Sequence, residues 1–112
     1  MRKIKQTKKP ESILQDKIVA MLKTHDWYAR ETHGNMYQSG FPDIFACHAR
    51  YGIRWIEVKM STGYKFTPAQ LDVFPHFAAK GVGIWILTAA TEVQYKLLFG
   101  PSNWHMFLSV MK

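Results

Sequence analysis

Residues 42–60 read Pro42-Asp43-Ile44-Phe45-Ala46-Cys47-His48-Ala49-Arg50-Tyr51-Gly52-Ile53-Arg54-Trp55-Ile56-Glu57-Val58-Lys59-Met60. Two apolar runs, Pro42 to Ala49 and Ile53 to Met60, flank the turn-forming Arg50-Tyr51-Gly52, which predicts a β-hairpin at the centre of a sheet. Strand side chains alternate between faces, so Glu57 and Lys59 emerge together and Val58 points the other way. Asp43 lies as far from the shared turn as Glu57 does, and the pairing brings the two ends close. The pattern therefore places two carboxylates beside one ammonium in an otherwise apolar sheet.

Working outward, Pro10 suits a first helical turn, and Leu14, Ile18, Met21 and Leu22 recur at helical spacing, predicting a helix to about His25. Trp27 to Thr32 is aromatic and β-favouring, and the Gly34-Asn35 and Ser39-Gly40 pairs after it mark loops. Beyond the hairpin, Ser61 to Phe66 is a loop. Thr67-Pro68-Ala69-Gln70 then opens a second helix with a threonine cap, proline in its first turn and glutamine three residues after the cap. Its expected buried stripe is Leu71, Phe74, Phe77 and Ala78, with Pro75 an expected kink. Gly81 is the stop, Val82 to Thr88 reads as a buried strand, and Thr91 to Leu98 as a short helix or irregular cover. Ser102 to Lys112 carries mixed signals and receives no assignment. The order α-β-β-β-α-β predicts an α/β fold, a mixed β-sheet flanked by helices.

The chain has 112 residues, 15 Lys and Arg against 8 Asp and Glu, and 47% hydrophobic residues. That is enough apolar material for a core and argues against a disordered tail. The uncharged apolar-rich stretch Gly81 to Ala90 falls short of the roughly 20 residues of a membrane span, and no secretory signal follows the basic start. One cysteine, Cys47, forms neither an internal disulfide nor a cysteine-rich zinc site, which suits a reducing, cytoplasmic setting. Arg2, Lys3, Lys5, Lys8 and Lys9 crowd residues 1–10 without an acid, leaving ten bases against the eight acids elsewhere. We read 1–10 as a basic arm and 11–112 as a single domain. The arm suits a polyanion such as nucleic acid, or serves only as a solubilising tail.

Buried carboxylates in contact repel, and a hard divalent ion relieves that repulsion through oxygen ligands. With Lys59 beside it, such an ion suits phosphodiester hydrolysis. The alternative is a structural Glu57–Lys59 pair with Asp43 as a strand-start turn residue.

The ordered set Gly40-Phe41-Pro42-Asp43, thirteen intervening residues, Glu57-Val58-Lys59 and then Gln70 on the following helix resembles the PD-(D/E)XK nuclease superfamily. Within it, the chain is most similar to the VRR-NUC family in its small stand-alone phage form. The resemblance implies a restriction-endonuclease-like core and Mg²⁺-dependent hydrolysis of DNA, with Mn²⁺ expected to substitute and no organic cofactor. It implies that Asp43, Glu57 and the backbone carbonyl of Val58 ligate the metal, and that Lys59 serves the attacking water. Gln70 matches the glutamine near metal and scissile phosphate, although Thr67-x-x-Gln70 is also a capping box. Glu11 is the candidate for the superfamily's first-helix acid and a further metal ligand, since it projects with Leu14, Ile18 and Met21; the alternative is a first-turn acid serving the helix dipole. Tyr64 and Lys65 are candidates for touching DNA, as are the basic residues of the arm. Small members of the family resemble Holliday-junction resolvases. A homodimeric, structure-specific endonuclease acting on four-way junctions in a bacterial or phage-infected cell is thus expected. A flap, end or single-strand nuclease is the alternative, as is a catalytically silent DNA-binding adaptor on the same fold.

Overall fold

Proline's fixed φ begins the first helix, α1 (Pro10–Thr24), with Glu11 in its first turn and Lys23 in its last, as the helix dipole favours. The computed structural model describes residues 9–32 and 39–111. After α1 the chain reverses through Asp26, at φ 69°, into β1 (Tyr28–Glu31). β2 (Ile44–His48) and β3 (Gly52–Val58) form the expected hairpin, in register from His48 opposite Gly52 to Ile44 opposite Ile56. The ladder begins two residues after Pro42, which has no N–H to give it. β1 lies antiparallel on the outer side of β2, with Ala29 opposite Ala46.

A parallel neighbour needs a crossover, and α2 (Pro68–Ala79) supplies it. The chain returns as β4 (Ile84–Leu87), parallel to β3, with Val58 opposite Leu87. The sheet order is β1-β2-β3-β4. Gly81, at φ 79°, makes the turn out of α2 in the left-handed region that glycine tolerates.

Alternation along the strands builds two cores. On one face Ile44, Ala46, Ile56, Val58 and Leu87 pack with Ile18 and Leu22 of α1. On the other, Ile84 and Ile86 pack with Phe66, Phe74 and Trp104, and Trp55 and Phe77 close over them. The buried stripe of α2 differs from the sequence expectation: Gln70 and Phe74 are buried and Val73 and Phe77 pack inward, whereas Leu71 is 44% exposed and Ala78 is exposed. Positions 70, 73, 74 and 77 share one helical face, and the capping box rotates that face so that a polar residue leads it. The helix continues through Pro75, which lies on its exposed side.

The predicted cover after β4 is a short helix, α3 (Glu92–Tyr95), and a 3₁₀ turn, Lys96–Phe99. The unassigned tail forms a second 3₁₀ segment, Trp104–Met111. Before it, Asn103 accepts from the Ile86 N–H at 2.6 Å and donates to the Ile86 carbonyl at 3.2 Å. One amide side chain thereby takes the place of a neighbouring strand at the open edge of β4. Among the described residues no helix is long and apolar enough to cross a membrane.

Candidate active site

Asp43 precedes β2, and Glu57 and Lys59 lie at the end of β3, all on the face that α2 covers. The loop into β2 is fixed from both sides. Gly40, at φ 87°, approaches α2 so closely that a Cβ there would meet the Ala69 carbonyl oxygen at 2.5 Å. Across the sheet, Thr32 donates its hydroxyl to the Pro42 carbonyl at 2.8 Å and its N–H to the Asp43 carbonyl at 2.8 Å. Gln15 of α1 reaches the same Asp43 carbonyl at 3.4 Å. Beyond the ladder, Asp43 Oδ2 accepts the Val58 N–H at 2.9 Å, which holds the carboxylate against the end of β3.

Glu57, Lys59 and Gln70 are buried, at 2%, 4% and 8% exposure. Gln70 Nε2 donates to Glu57 Oε2 at 2.6 Å, and its Oε1 accepts from Lys59 Nζ at 2.9 Å and from the Thr67 N–H at 3.0 Å. Only this amide orientation fits, because the reverse would set NH₂ against two donors. The two sequence readings of Gln70 therefore coexist in one side chain: it closes the capping box and binds both charged groups of the cluster. Lys59 Nζ also lies 3.2 Å from Glu57 Oε2, donates to the Lys65 carbonyl at 2.6 Å and sits 4.7 Å above the Phe66 ring. Its three protons thus meet three acceptors.

The remaining oxygen, Glu57 Oε1, is buried without a hydrogen-bond partner. Such an atom costs about 1–3 kcal/mol or more when nothing compensates it. Burial pushes the Glu57 carboxyl up to about 8, with Asp43 adding to the rise and Lys59 and Gln70 opposing it. Burial also raises Asp43 to about 6, against the Val58 N–H, and the Glu11 charge adds to the rise. Two acids with such perturbed affinities for protons, facing each other beside an unpaired oxygen, are chemically suited to share a cation.

Among the described residues no group of three or more His, Cys, Asp or Glu side chains is placed to hold a metal ion. A donor set of two carboxylates fits a small hard ion such as Mg²⁺, which keeps several waters and takes few protein ligands. Glu11, exposed at the start of α1, acts on Asp43 through its charge and stands at the rim.

Tyr64 is half-buried and donates its hydroxyl to the Phe107 carbonyl at 3.1 Å. Lys65 is exposed and contributes its backbone carbonyl to the cluster. Lys9, also exposed, is the residue before α1, whereas Arg2, Lys3, Lys5 and Lys8 lie outside the described residues. Sequence reasoning missed the Lys65 carbonyl, the Phe66 ring and Thr32. Only the shortness of the loop between Lys59 and the Thr67 cap signalled the first two.

A hairpin and a crossover helix thus gather an acid, a Glu-x-Lys strand end and a helix-borne glutamine at one end of a mixed α/β sheet. Among solved structures, the chain superimposes on one described as "VRR_NUC domain" with a TM-score of 0.64 and 22% identity, covering 78% of this chain and 92% of that one. The protein has the fold of a VRR_NUC domain, as the sequence resemblance implied. No protein-family model matches the sequence. No curated protein matches it either.

Proposed function

We propose that the protein is a Mg²⁺-dependent DNA endonuclease, with Mn²⁺ able to substitute, that acts on branched DNA and foremost on four-way junctions. The observation that carries the reading is the unpartnered Glu57 Oε1, buried beside Asp43 and two residues before Lys59 in the chain. Asp43 and Glu57 would hold the ion. Val58 would add its carbonyl, because a strand residue's N–H and C=O leave on the same edge, here the edge facing Asp43. When bound, a divalent ion polarises a phosphoryl oxygen and eases deprotonation of water.

The chain's own groups do the rest. Lys59, freed from part of its bonding to Glu57, orients the attacking water and offsets negative charge developing on the phosphate. Gln70 positions Lys59 and Glu57 relative to each other. Glu11 adds negative charge at the rim. The basic residues Arg2, Lys3, Lys5, Lys8 and Lys9, with Lys65 near the site, supply affinity for phosphates that is independent of base sequence. A second copy belongs to this reading, since paired cuts across a junction need two sites related by a two-fold axis.

The test is cleavage of a synthetic four-way junction, a flap and a linear duplex in Mg²⁺, Mn²⁺ and EDTA. Paired symmetric nicks on the junction, abolished by EDTA and by Asp43→Asn, support the reading. Cutting of the flap alone moves the substrate to flaps. Binding that is indifferent to EDTA, with no cutting of any substrate, replaces the nuclease with a silent adaptor.

A further inference from the structure

Beside the cluster, Ser61, Tyr64, Met106 and Phe107 line an open, shallow cleft of about 390 Å³ that the chemistry above does not use. Its walls are mostly apolar and its aromatic side is rigidly set. The Tyr64 ring meets Phe107 edge-on at 5.5 Å and Phe66 at 6.2 Å, and the Tyr64 hydroxyl is tied to the Phe107 carbonyl. Met106 also lines it and is 64% exposed, and a thioether chain moulds to flat partners.

The cleft adjoins the site across one buried ring. Phe66 touches Tyr64 on one side and carries the Lys59 ammonium on the other, so a single ring separates the cleft from the amine. The loop that forms its near wall is clamped by the bond from Lys59 to the Lys65 carbonyl. The contacts span 4.7 Å from ammonium to Phe66 and 6.2 Å from Phe66 to Tyr64. A strand rises about 3.4 Å per nucleotide when stacked, so separations of this size amount to a few nucleotides. Exposed Lys65 and His105 lie beside these residues in sequence, and the chain's net charge of +7 complements a phosphate backbone.

We propose that this cleft takes an unpaired nucleobase of the substrate strand, close to the phosphate that is cut, and thereby selects branched or frayed DNA over continuous duplex. An apolar, aromatic-walled slot accepts the π-face of any base, while a base within a duplex has both faces covered by its neighbours. The inference rests on the nuclease reading for the position of the scissile phosphate, and it supplies a reason for substrate choice at the same site.

The test uses the full chain, in EDTA, titrated onto a forked DNA with unpaired 2-aminopurine at the branch and onto a continuous duplex of equal length. Wild-type protein should bind the fork more tightly and change the 2-aminopurine emission. Met106→Glu and Ser61→Glu, both lining the cleft and both exposed in the wild type, should each weaken fork binding by about tenfold, of the order of one lost base stack. Neither should weaken duplex binding. If one variant melts early, the other carries the measurement. Unchanged fork binding, equal losses on fork and duplex, or silent 2-aminopurine each overturns the proposal. Cleavage is read separately: no cutting by the wild-type protein in Mg²⁺ overturns the nuclease reading, and wild-type cutting by Asp43→Asn moves the scissile phosphate away from this site; either leaves the binding result standing.

Discussion

Asp43, Glu57 and Lys59 meet because two strands of alternating side chains end at the same level, and the hairpin pattern in the sequence already required that. The orphaned Glu57 oxygen was not legible, since it depends on how deeply α2 settles over the strand end. Asp43→Asn keeps an acceptor for the Val58 N–H while removing a ligand charge, so we expect cleavage to fall by at least about 10²-fold with little change in melting. Lys59→Ala should lower cleavage comparably. Gln70 and Thr67 separate the two duties of the helix start. Thr67→Ala removes only the hydroxyl that accepts the Gln70 N–H, which should cost about 1 kcal/mol of stability and leave cleavage nearly intact. Gln70→Ala should lower both, by a comparable stability loss and by about tenfold or more in rate. Calorimetry and single-turnover cleavage on the same preparations distinguish the pair.

At the scale of elements, helix and strand order was readable because apolar spacing, caps and glycine stops agreed with one another. The face of α2 was not. Leu71, Phe74, Phe77 and Ala78 look like a stripe by hydrophobicity, yet the polar Gln70 joins Phe74 on the buried face because Lys59 and Glu57 satisfy it there. The last eleven residues gave no clear signal for a similar reason: a 3₁₀ segment with one buried tryptophan has neither a helical nor a strand period. The loop before β2 yields a sharp prediction. Gly40→Ala combines a left-handed φ with a backbone collision against α2, so the helix or the Asp43 loop must shift. Thermal melting should drop by at least about 1–3 kcal/mol in stability, and cleavage should fall with it as Asp43 is displaced.

For the whole molecule, the two raised carboxyls make stability depend on pH. Folded Asp43 holds its proton to about 6 and Glu57 to about 8, above their ordinary values of 3.8 and 4.5. Between those limits the unfolded chain binds fewer protons than the folded one, so stability without metal falls as pH rises from about 4 to about 8 and then levels. Mg²⁺ bound as proposed would compete with those protons and should raise the melting temperature more at pH 8 than at pH 5. Scanning calorimetry with and without EDTA at both pH values checks this. An equal shift at the two pH values would separate metal binding from these acids.

The crossover through α2 has one more consequence. Asp43 and Glu57 are joined by a local hairpin, but Gln70 reaches Lys59 only once a helix has docked and a parallel strand has closed beside β3, a pairing that long loops make slow to form. An emerging or half-unravelled polypeptide therefore lacks the finished cluster, and any capacity to damage a chromosome is withheld until the whole chain has reached its native shape.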